Sequence, residues 1–131
     1  MANGTIAFDT LTTSDSKKTN TEKSIDTSYL LNGTCKITFH FNQDTPAVLH
    51  SFNVTSITDV ETGGFDPQFT NNMNAADDYS ALATSQNESA NTDSKSYTFN
   101  HATSSIRFVS FEANARIDHA NYSGILVGDL A

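Results

Sequence analysis

The chain has 131 residues, a mass of 14.2 kDa and a formal net charge of −8, and this length is typical of one domain. Its negative charge would repel nucleic acid phosphates and anionic lipid headgroups, which argues against nucleic acid and membrane-surface partners. No apolar run reaches the ~20 residues that a transmembrane helix needs, so membrane insertion is not expected.

The N-terminal segment alternates apolar and polar residues over a short stretch and then becomes uniformly polar. TIAF at 5–8 predicts a short strand, and TTSDSKKTNTEKS at 12–24 predicts an extended linker or arm. The apolar side chains of this segment would make a poor core alone but suit a strand that docks on a neighbouring subunit. The assembly-interface candidates are therefore Ile6, Phe8 and Leu11. The alternative is an N-terminal edge strand followed by a long loop.

This interpretation divides the chain into an arm and a domain. The arm, comprising the N-terminal strand and polar linker, covers residues 1–24, and the β-sandwich domain covers residues 25–131. In the domain, CKITFHF at 35–41 has the clearest two-residue period. One face of that predicted strand carries four apolar residues expected in the core, which are Cys35, Ile37, Phe39 and Phe41.

The stretch SFNVTSITDVETGGFDPQFTNNM at 51–73 places a polar loop, DVETGG, between two apolar runs. The two glycines permit a tight turn, so the stretch predicts a β-hairpin in which the loop is first of all a turn. Phe52 and Val54 share a face in the first arm, whereas Ile57 is out of step by one residue. This offset predicts a bulge before the turn.

Four more segments have the alternation of strands. They are YSALA at 79–83, SYTF at 96–99, SIRFVSFEA at 105–113 and YSGILVGDL at 122–130. The polar stretch between the first two, at 85–96, predicts a hairpin tip or a loop. The chain is therefore expected to be all-β, a single-domain antiparallel β-sandwich or jelly roll of about seven to eight strands with an extended N-terminal arm. A partly open β-barrel is the alternative.

No set of side chains has the spacing of a catalytic or metal site. The histidines lack the H-E-x-x-H and H-x-H spacings of metal ligands, and the chain has neither a G-x-S-x-G elbow nor a glycine-rich phosphate loop. The acidic residues at 59–66 do not follow the register of an EF-hand calcium loop. The carboxylates that a glycan depolymerase would need are too scattered to select a pair. We expect a protein without enzymatic activity, metal or other cofactor.

Aromatic residues offer a carbohydrate-binding platform as a further alternative. The chain has nine Phe and four Tyr but no Trp. Core packing explains most of the phenylalanines more simply, because they lie in strand-like alternations. These phenylalanines are Phe39, Phe41, Phe52, Phe65, Phe69, Phe108 and Phe111. A sugar site would then depend on Tyr79, Tyr97 and Tyr122, and the sequence does not select one of them.

Four segments resemble small virion proteins of marine tailed bacteriophages: MANGTIAFDTL, SIDTSYLLNGTCK, the stretch at 51–73 and the terminal VGDLA. The stretch at 51–73 also resembles a module of phage tail fibre proteins. In that module S-F-N-V-S-S-I-x-D precedes a glycine-rich turn, a second strand and an Asn-Met turn. The sequence departs from the module at Pro67, which suits an edge strand or a bulge, and in a longer polar insertion at 86–96.

The resemblance implies a non-enzymatic bacteriophage virion structural protein, namely a tail fibre or adsorption protein that contacts the host surface. Residues 1–11 would anchor it to other virion proteins, and loops of the β-domain would face a host glycan or receptor. The alternative is a capsid decoration protein, a cement or head-spike protein that stabilises the phage head. Either would be made in the bacterial cytoplasm without a signal peptide.

The resemblance also implies self-association, because such proteins commonly form trimers. A shared interface would supply apolar burial to a chain in which only 37% of the residues are apolar. A homotrimer is therefore the expected oligomer.

Overall fold

The structure, a computed structural model, describes residues 10–12, 24–26, 33–85 and 94–131. The chain divides into two compact units, Met1–Thr34 and Cys35–Ala131. In the first unit, β1 (Thr10–Thr12) and β2 (Ser24–Asp26) form a two-stranded antiparallel sheet. The predicted strand at 5–8 lies outside the described residues, and the predicted division after residue 24 stays a prediction.

In the second unit, nine strands of the described chain form two antiparallel sheets. They are β3 (Cys35–Asn42), β4 (Ala47–Phe52), β5 (Val54–Glu61), β6 (Gly64–Phe69), β7 (Tyr79–Ser85), β8 (Ser94–Phe99), β9 (Arg107–Glu112), β10 (Ala115–Arg116) and β11 (Tyr122–Gly128). The four-stranded sheet has the order β4-β3-β11-β7. The five-stranded sheet has the order β10-β9-β6-β5, and β8 pairs along β9. The predicted all-β antiparallel sandwich is confirmed, with nine strands where seven to eight were expected.

One unpredicted strand arises where the chain passes from one sheet to the other. The alternation indicates a single arm over residues 51–58, but Asn53 has a positive φ of 58° and separates β4 from β5. β4 pairs with β3 in the four-stranded sheet, whereas β5 pairs with β6 in the five-stranded sheet. Asn enters this left-handed conformation more readily than the flanking Phe52 and Val54, which explains why the chain turns at this residue.

The two sheets pack on an aromatic core. The predicted inward face of β3 is confirmed for Ile37, Phe39 and Phe41, which are at most 2% exposed. The Phe65 ring of β6 lies 5.0 Å from Phe41 and 4.8 Å, edge-on, from Tyr122 between ring centroids. Such edge-on pairs add about 0.5–1.5 kcal/mol beyond the area that they bury. The other members of the core are Phe69, Met73, Tyr79, Ile106, Phe108 and Leu126.

Three residues predicted to lie in the core lie outside it: Cys35 and Phe52 are exposed, and Phe111 is half-buried on the outer face of the five-stranded sheet. Cys35 is the first residue of β3, before the buried part of its face begins, and its Sγ donates to the Ile37 carbonyl at 3.0 Å. Phe52 is 59% exposed because it lies opposite Thr38, on the outer face of the four-stranded sheet. The face on which Phe52 lies depends on its register with β3. The alternation within its own segment is therefore not sufficient to predict that face.

The DVETGG stretch forms the predicted turn. β5 and β6 are joined by Thr62 and Gly63, and Gly63 has a positive φ of 70°. The pairing register shifts at Thr55, which confirms the bulge expected before the turn, and shifts a second time at Val60. Both irregularities lie in β5, the edge strand of this sheet, where bulges are common.

Pro67 lies inside β6 at an interruption of its ladder with β9. The two strands pair over the first two residues of β6, and contact resumes only at the isolated bridge between Gln68 and Ser105. The Phe69 N–H faces this side, since it donates to the Ser104 carbonyl at 2.8 Å, and by alternation the Pro67 nitrogen faces it too. The proline therefore occupies a gap in the ladder, which is the irregularity expected in the second arm, but the edge strand suggested for Pro67 is wrong because β6 lies between β5 and β9.

Candidate functional site

The three predicted assembly candidates belong to the first unit. Ile6 and Phe8 lie outside the described residues, and Leu11 lies in β1 opposite Ile25. Docking of these residues on a neighbouring subunit stays a prediction.

The structure distinguishes the three tyrosines that the sequence offers as a sugar platform. Tyr79 is 7% exposed and Tyr122 is fully buried, so both belong to the core. Burial raises the pKa of Tyr122 to about 12. Tyr97, in β8, is 52% exposed. Of these three, Tyr97 alone presents its ring and hydroxyl to a ligand.

Tyr97 forms part of a groove on the outer face of the five-stranded sheet. The groove has a volume of about 400 Å³ and lies over β8, β9 and the hairpin that joins β9 to β10. Its walls come from alternate residues of paired strands, because Lys95 lies opposite Phe111 and Tyr97 lies opposite Val109 in the β8–β9 ladder. The lining residues are Lys95, Tyr97, Phe99, Val109, Phe111, Asn114 and Arg116.

A strained two-residue turn supplies one end of the groove. Ala113 and Asn114 join β9 to β10, and both have positive φ, 46° and 72°. Positive φ at both positions is the geometry of a type I′ hairpin, whose twist matches that of paired strands. The turn places the Asn114 side chain at the groove, where its Oδ1 accepts a hydrogen bond from Lys95 Nζ at 3.4 Å.

Both arginines of the chain lie on this face, and each contacts an aromatic ring. The Arg116 guanidinium lies 5.9 Å from the Phe111 ring centroid, and the Arg107 guanidinium lies 5.8 Å from that of Phe99. The Tyr97 ring meets Phe111 edge-on at 5.5 Å. Because cations over aromatic faces are held in place by the ring electrostatics, the groove is bordered by oriented side chains.

The carboxylates of Asp66 and Glu61 form ion pairs with the two arginines. Asp66 binds Arg107 through two hydrogen bonds, one of them from Nη2 to Oδ2 at 2.7 Å, and this bond is the main cause that raises the pKa of Arg107. Glu61 Oε1 forms an ion pair with Arg116 Nη1 and lies 3.5 Å from Arg107 Nη1. Glu61 of the DVETGG turn thus orients the arginines, and a binding role for its carboxylate stays a prediction.

Two other histidines and one other acid have structural partners. Asp118 Oδ1 accepts the Gly63 N–H at 2.6 Å, and His40 Nε2 lies at 3.0 Å from Asn121 Oδ1. The His101 ring stacks on Tyr79 at 5.2 Å between centroids. Among the residues that the structure describes, no group of three or more His, Cys, Asp or Glu is placed to hold a metal ion.

A buried polar cluster lies next to Gly63 in the turn between β5 and β6, and no sequence motif predicts it. Ser110 is fully buried, and its Oγ lies within hydrogen-bond distance of the Gln43 Oε1 at 3.1 Å and the Ile117 carbonyl at 2.6 Å. The His119 N–H donates to the same Gln43 oxygen at 3.2 Å. These bonds join Gln43, after β3, to Ser110, Ile117 and His119, whereas the buried Gln43 Nε2 and His119 Nε2 have no hydrogen-bond partner among the described residues.

The arrangement suits recognition of a polar ring-shaped ligand. Exposed aromatic faces cover the apolar faces of a ligand, and amide, ammonium and guanidinium groups at the rim donate hydrogen bonds to its oxygens. Sugar rings have both kinds of surface. Since the groove is open and shallow, it fits a sugar within a longer chain as readily as a terminal sugar.

The sequence contains one signal for this site. It is the mixture of aromatic and cationic residues on a single strand face, which a simple apolar–polar alternation does not distinguish. Two rows of three residues have the spacing of one strand face: Lys95, Tyr97 and Phe99 in one strand, and Arg107, Val109 and Phe111 in the other. Each row mixes aromatic and cationic side chains, which is unusual for a core face. The pairing of the two rows depends on the β8–β9 register, which only the folded chain determines.

In the described ranges, no helix has the length and apolar character needed to cross a membrane. No protein-family model, no curated protein and no solved structure matches this chain.

Proposed function

We propose that this protein is a non-enzymatic bacteriophage virion structural protein, a tail fibre or adsorption protein that contacts the host surface. Two independent features support the proposal. Four sequence segments resemble small phage virion proteins, and the outer face of the five-stranded sheet carries an aromatic and cationic groove of about 400 Å³.

The groove is the observation that carries the host-contact part of the proposal. Its side chains come from strands and a tight hairpin, so they are held by the scaffold before a ligand arrives. Tyr97 offers an exposed ring, and Arg116 and Asn114 offer donors on the same side. The ligand class that fits is a surface polysaccharide, whose sugars present apolar ring faces and many hydroxyl oxygens.

Binding to immobilised bacterial polysaccharides tests the groove. The purified chain should bind at least one member of a panel of lipopolysaccharides and capsular polysaccharides. Tyr97→Ala and Arg116→Ala should each weaken that binding about tenfold or more, the loss typical of a central aromatic or arginine contact. Val48→Ala is the matched control, because Val48 is 45% exposed on the other sheet and should leave the affinity unchanged.

Two results would contradict the groove assignment. One is the absence of binding to every polysaccharide of the panel, and the other is equal binding by the wild type and the two groove variants. Circular dichroism should show that both variants keep the β-sheet spectrum, so that lost binding reports on the groove.

Location on the particle tests the virion part of the proposal. Antibodies against the chain should label the tail of the encoding phage and should slow adsorption to host cells. Labelling spread over the head would instead favour the second candidate, a capsid decoration protein. That candidate is favoured by the exposed Leu82 and Ile125 on the four-stranded sheet, since apolar residues of this kind suit contact with a neighbouring protein in a lattice.

A further inference from the structure

A row of four side chains, the half-buried Thr38 and three exposed apolar residues, crosses the outer face of the four-stranded sheet. The ladder registers place Phe52 opposite Thr38, Thr38 opposite Ile125 and Ile125 opposite Leu82, so the row includes one residue from each strand. Phe52 is 59% exposed, Ile125 42% and Leu82 64%. We call these four residues the apolar row.

A shallow hollow adjoins one end of the apolar row. It has a volume of about 240 Å³ and its walls include Leu82, Thr84, Ser123 and Ile125. A protein cavity of about 150 Å³ accepts a benzene ring, so the hollow has room for a phenyl group. The Phe52 ring, at the opposite end of the row, is a protruding group of that size.

The charge of this sheet differs from that of the chain as a whole. The chain has fifteen Asp and Glu, but β3, β4, β7 and β11 contain none of them. Carboxylates occur in the other sheet, at Asp59, Glu61, Asp66 and Glu112. Two copies with a charge of −8 repel each other, and the repulsion is smallest where the facing surfaces carry no carboxylates.

We infer that the four-stranded sheet is the contact surface for a second copy of this chain. Two copies can pack face to face across a two-fold axis that lies in the interface and runs parallel to the strands. Across this axis, the strands of the second sheet follow one another in the reverse order. This operation places Phe52 of each copy over the Leu82 end of the other, where the hollow lies, and places Thr38 over Ile125. The surface is complementary to itself, as a closed two-fold dimer requires, and this inference differs from the homotrimer that the family resemblance implies.

The size of the face predicts the strength of the dimer. Four strands spaced about 4.8 Å apart and about seven residues long give a face of roughly 400 Å², and two facing copies would bury about 800 Å² or somewhat more. This area is below the roughly 1,000 Å² that stable specific interfaces usually exceed, so the dimer is expected to be weak, with a dissociation constant in the micromolar range. The surface is separate from the groove, and failure of this inference would leave the groove proposal unaffected.

Sedimentation equilibrium of the full chain tests the inference. The wild type should be a monomer–dimer mixture with a micromolar dissociation constant. Leu82→Asp adds a carboxylate to the row and should weaken association about tenfold or more, because it opposes burial and adds repulsion. Val60→Asp is the matched control, since Val60 is 44% exposed in the five-stranded sheet and should change the constant less than twofold.

Ionic strength provides a second measurement that does not depend on a variant. Raising the salt from about 50 mM to about 500 mM should tighten the dimer, because salt screens the repulsion between two acidic copies and leaves apolar burial intact. Association that weakens with salt would overturn the inference, because it would indicate an interface made of ion pairs. A monomeric wild type at about 200 µM, a trimer, or equal association of wild type and Leu82→Asp would overturn it as well.

Discussion

Asn53 and Asn71 hold each other through three hydrogen bonds where the chain changes sheets. Asn53 Oδ1 accepts from the Asn71 N–H at 2.8 Å and from Asn71 Nδ2 at 2.9 Å, and Asn53 Nδ2 donates to the Asn71 carbonyl at 3.3 Å. Asn53 also has a positive φ of 58°. One side chain thus permits the turn between β4 and β5 and ties that turn to the end of β6.

Two substitutions of Asn53 should separate these two roles. Asn53→Gly keeps the backbone conformation but loses the side-chain bonds, and it should lower the free energy of unfolding by about 1 kcal/mol. Asn53→Ala loses the bonds and also forces alanine into the left-handed region, so the loss should reach about 2–3 kcal/mol. Urea unfolding measures both. Equal losses for the two variants would show that backbone conformation at Asn53 does not limit stability.

Gly63→Ala should destabilise the hairpin at the DVETGG turn strongly. A Cβ at Gly63 would lie 2.6 Å from the Ser110 carbonyl oxygen, and the backbone has a positive φ of 70°. The expected loss is about 3 kcal/mol, the combined effect of the left-handed conformation and of a contact with backbone that has little freedom to move. Gly33→Ala is the control, because a Cβ there meets nothing within 4 Å. A melting temperature that changes equally in both variants would contradict this account of the turn.

Ala113→Gly should stabilise the protein. Ala113 has a positive φ of 46°, which glycine adopts without a Cβ penalty, so the gain should be about 1 kcal/mol. Ala115→Gly, two residues away in β10, should instead cost about 0.5–1 kcal/mol, because glycine loses more conformational freedom in a strand. Thermal unfolding of the pair measures the difference. A destabilised Ala113→Gly variant would mean that the turn is not strained at that residue.

Stability should fall in alkaline solution because of Tyr122. Burial raises its pKa to about 12 from the ordinary value of 10.0, so the folded protein binds this proton more tightly than the unfolded chain does. The stabilisation is complete below pH 10 and is lost as the pH rises from about 10 to about 12, with a total of about 3 kcal/mol.

Urea unfolding at pH 8, 10 and 11 measures this dependence. The free energy of unfolding should decline above pH 10 in the wild type and decline less in Tyr122→Phe. Burial also raises the pKa of Tyr79, so the variant should retain part of the decline. Parallel pH profiles for the two proteins would exclude Tyr122 as the cause.

Local patterns in the sequence were sufficient to predict several strands and turns. The alternation in CKITFHF predicted a strand with Ile37, Phe39 and Phe41 inward, and the two glycines of DVETGG predicted the hairpin turn. These features depend on residues within one strand or one turn, where period and conformational preference act directly. The same reasoning failed for Cys35 and Phe52, whose exposure depends on where the neighbouring strand and the packed face end.

The sequence by itself determined the fold class, because alternating apolar residues separated by Gly, Asn and Asp require sheets that bury one face. It also determined the acidic charge and the supply of aromatic side chains. Only the tertiary structure decided which side chains meet. The groove of Tyr97, Phe111 and Arg116 and the apolar row from Phe52 to Leu82 are both assembled by strand register, and register is set by packing between segments that are far apart in the chain.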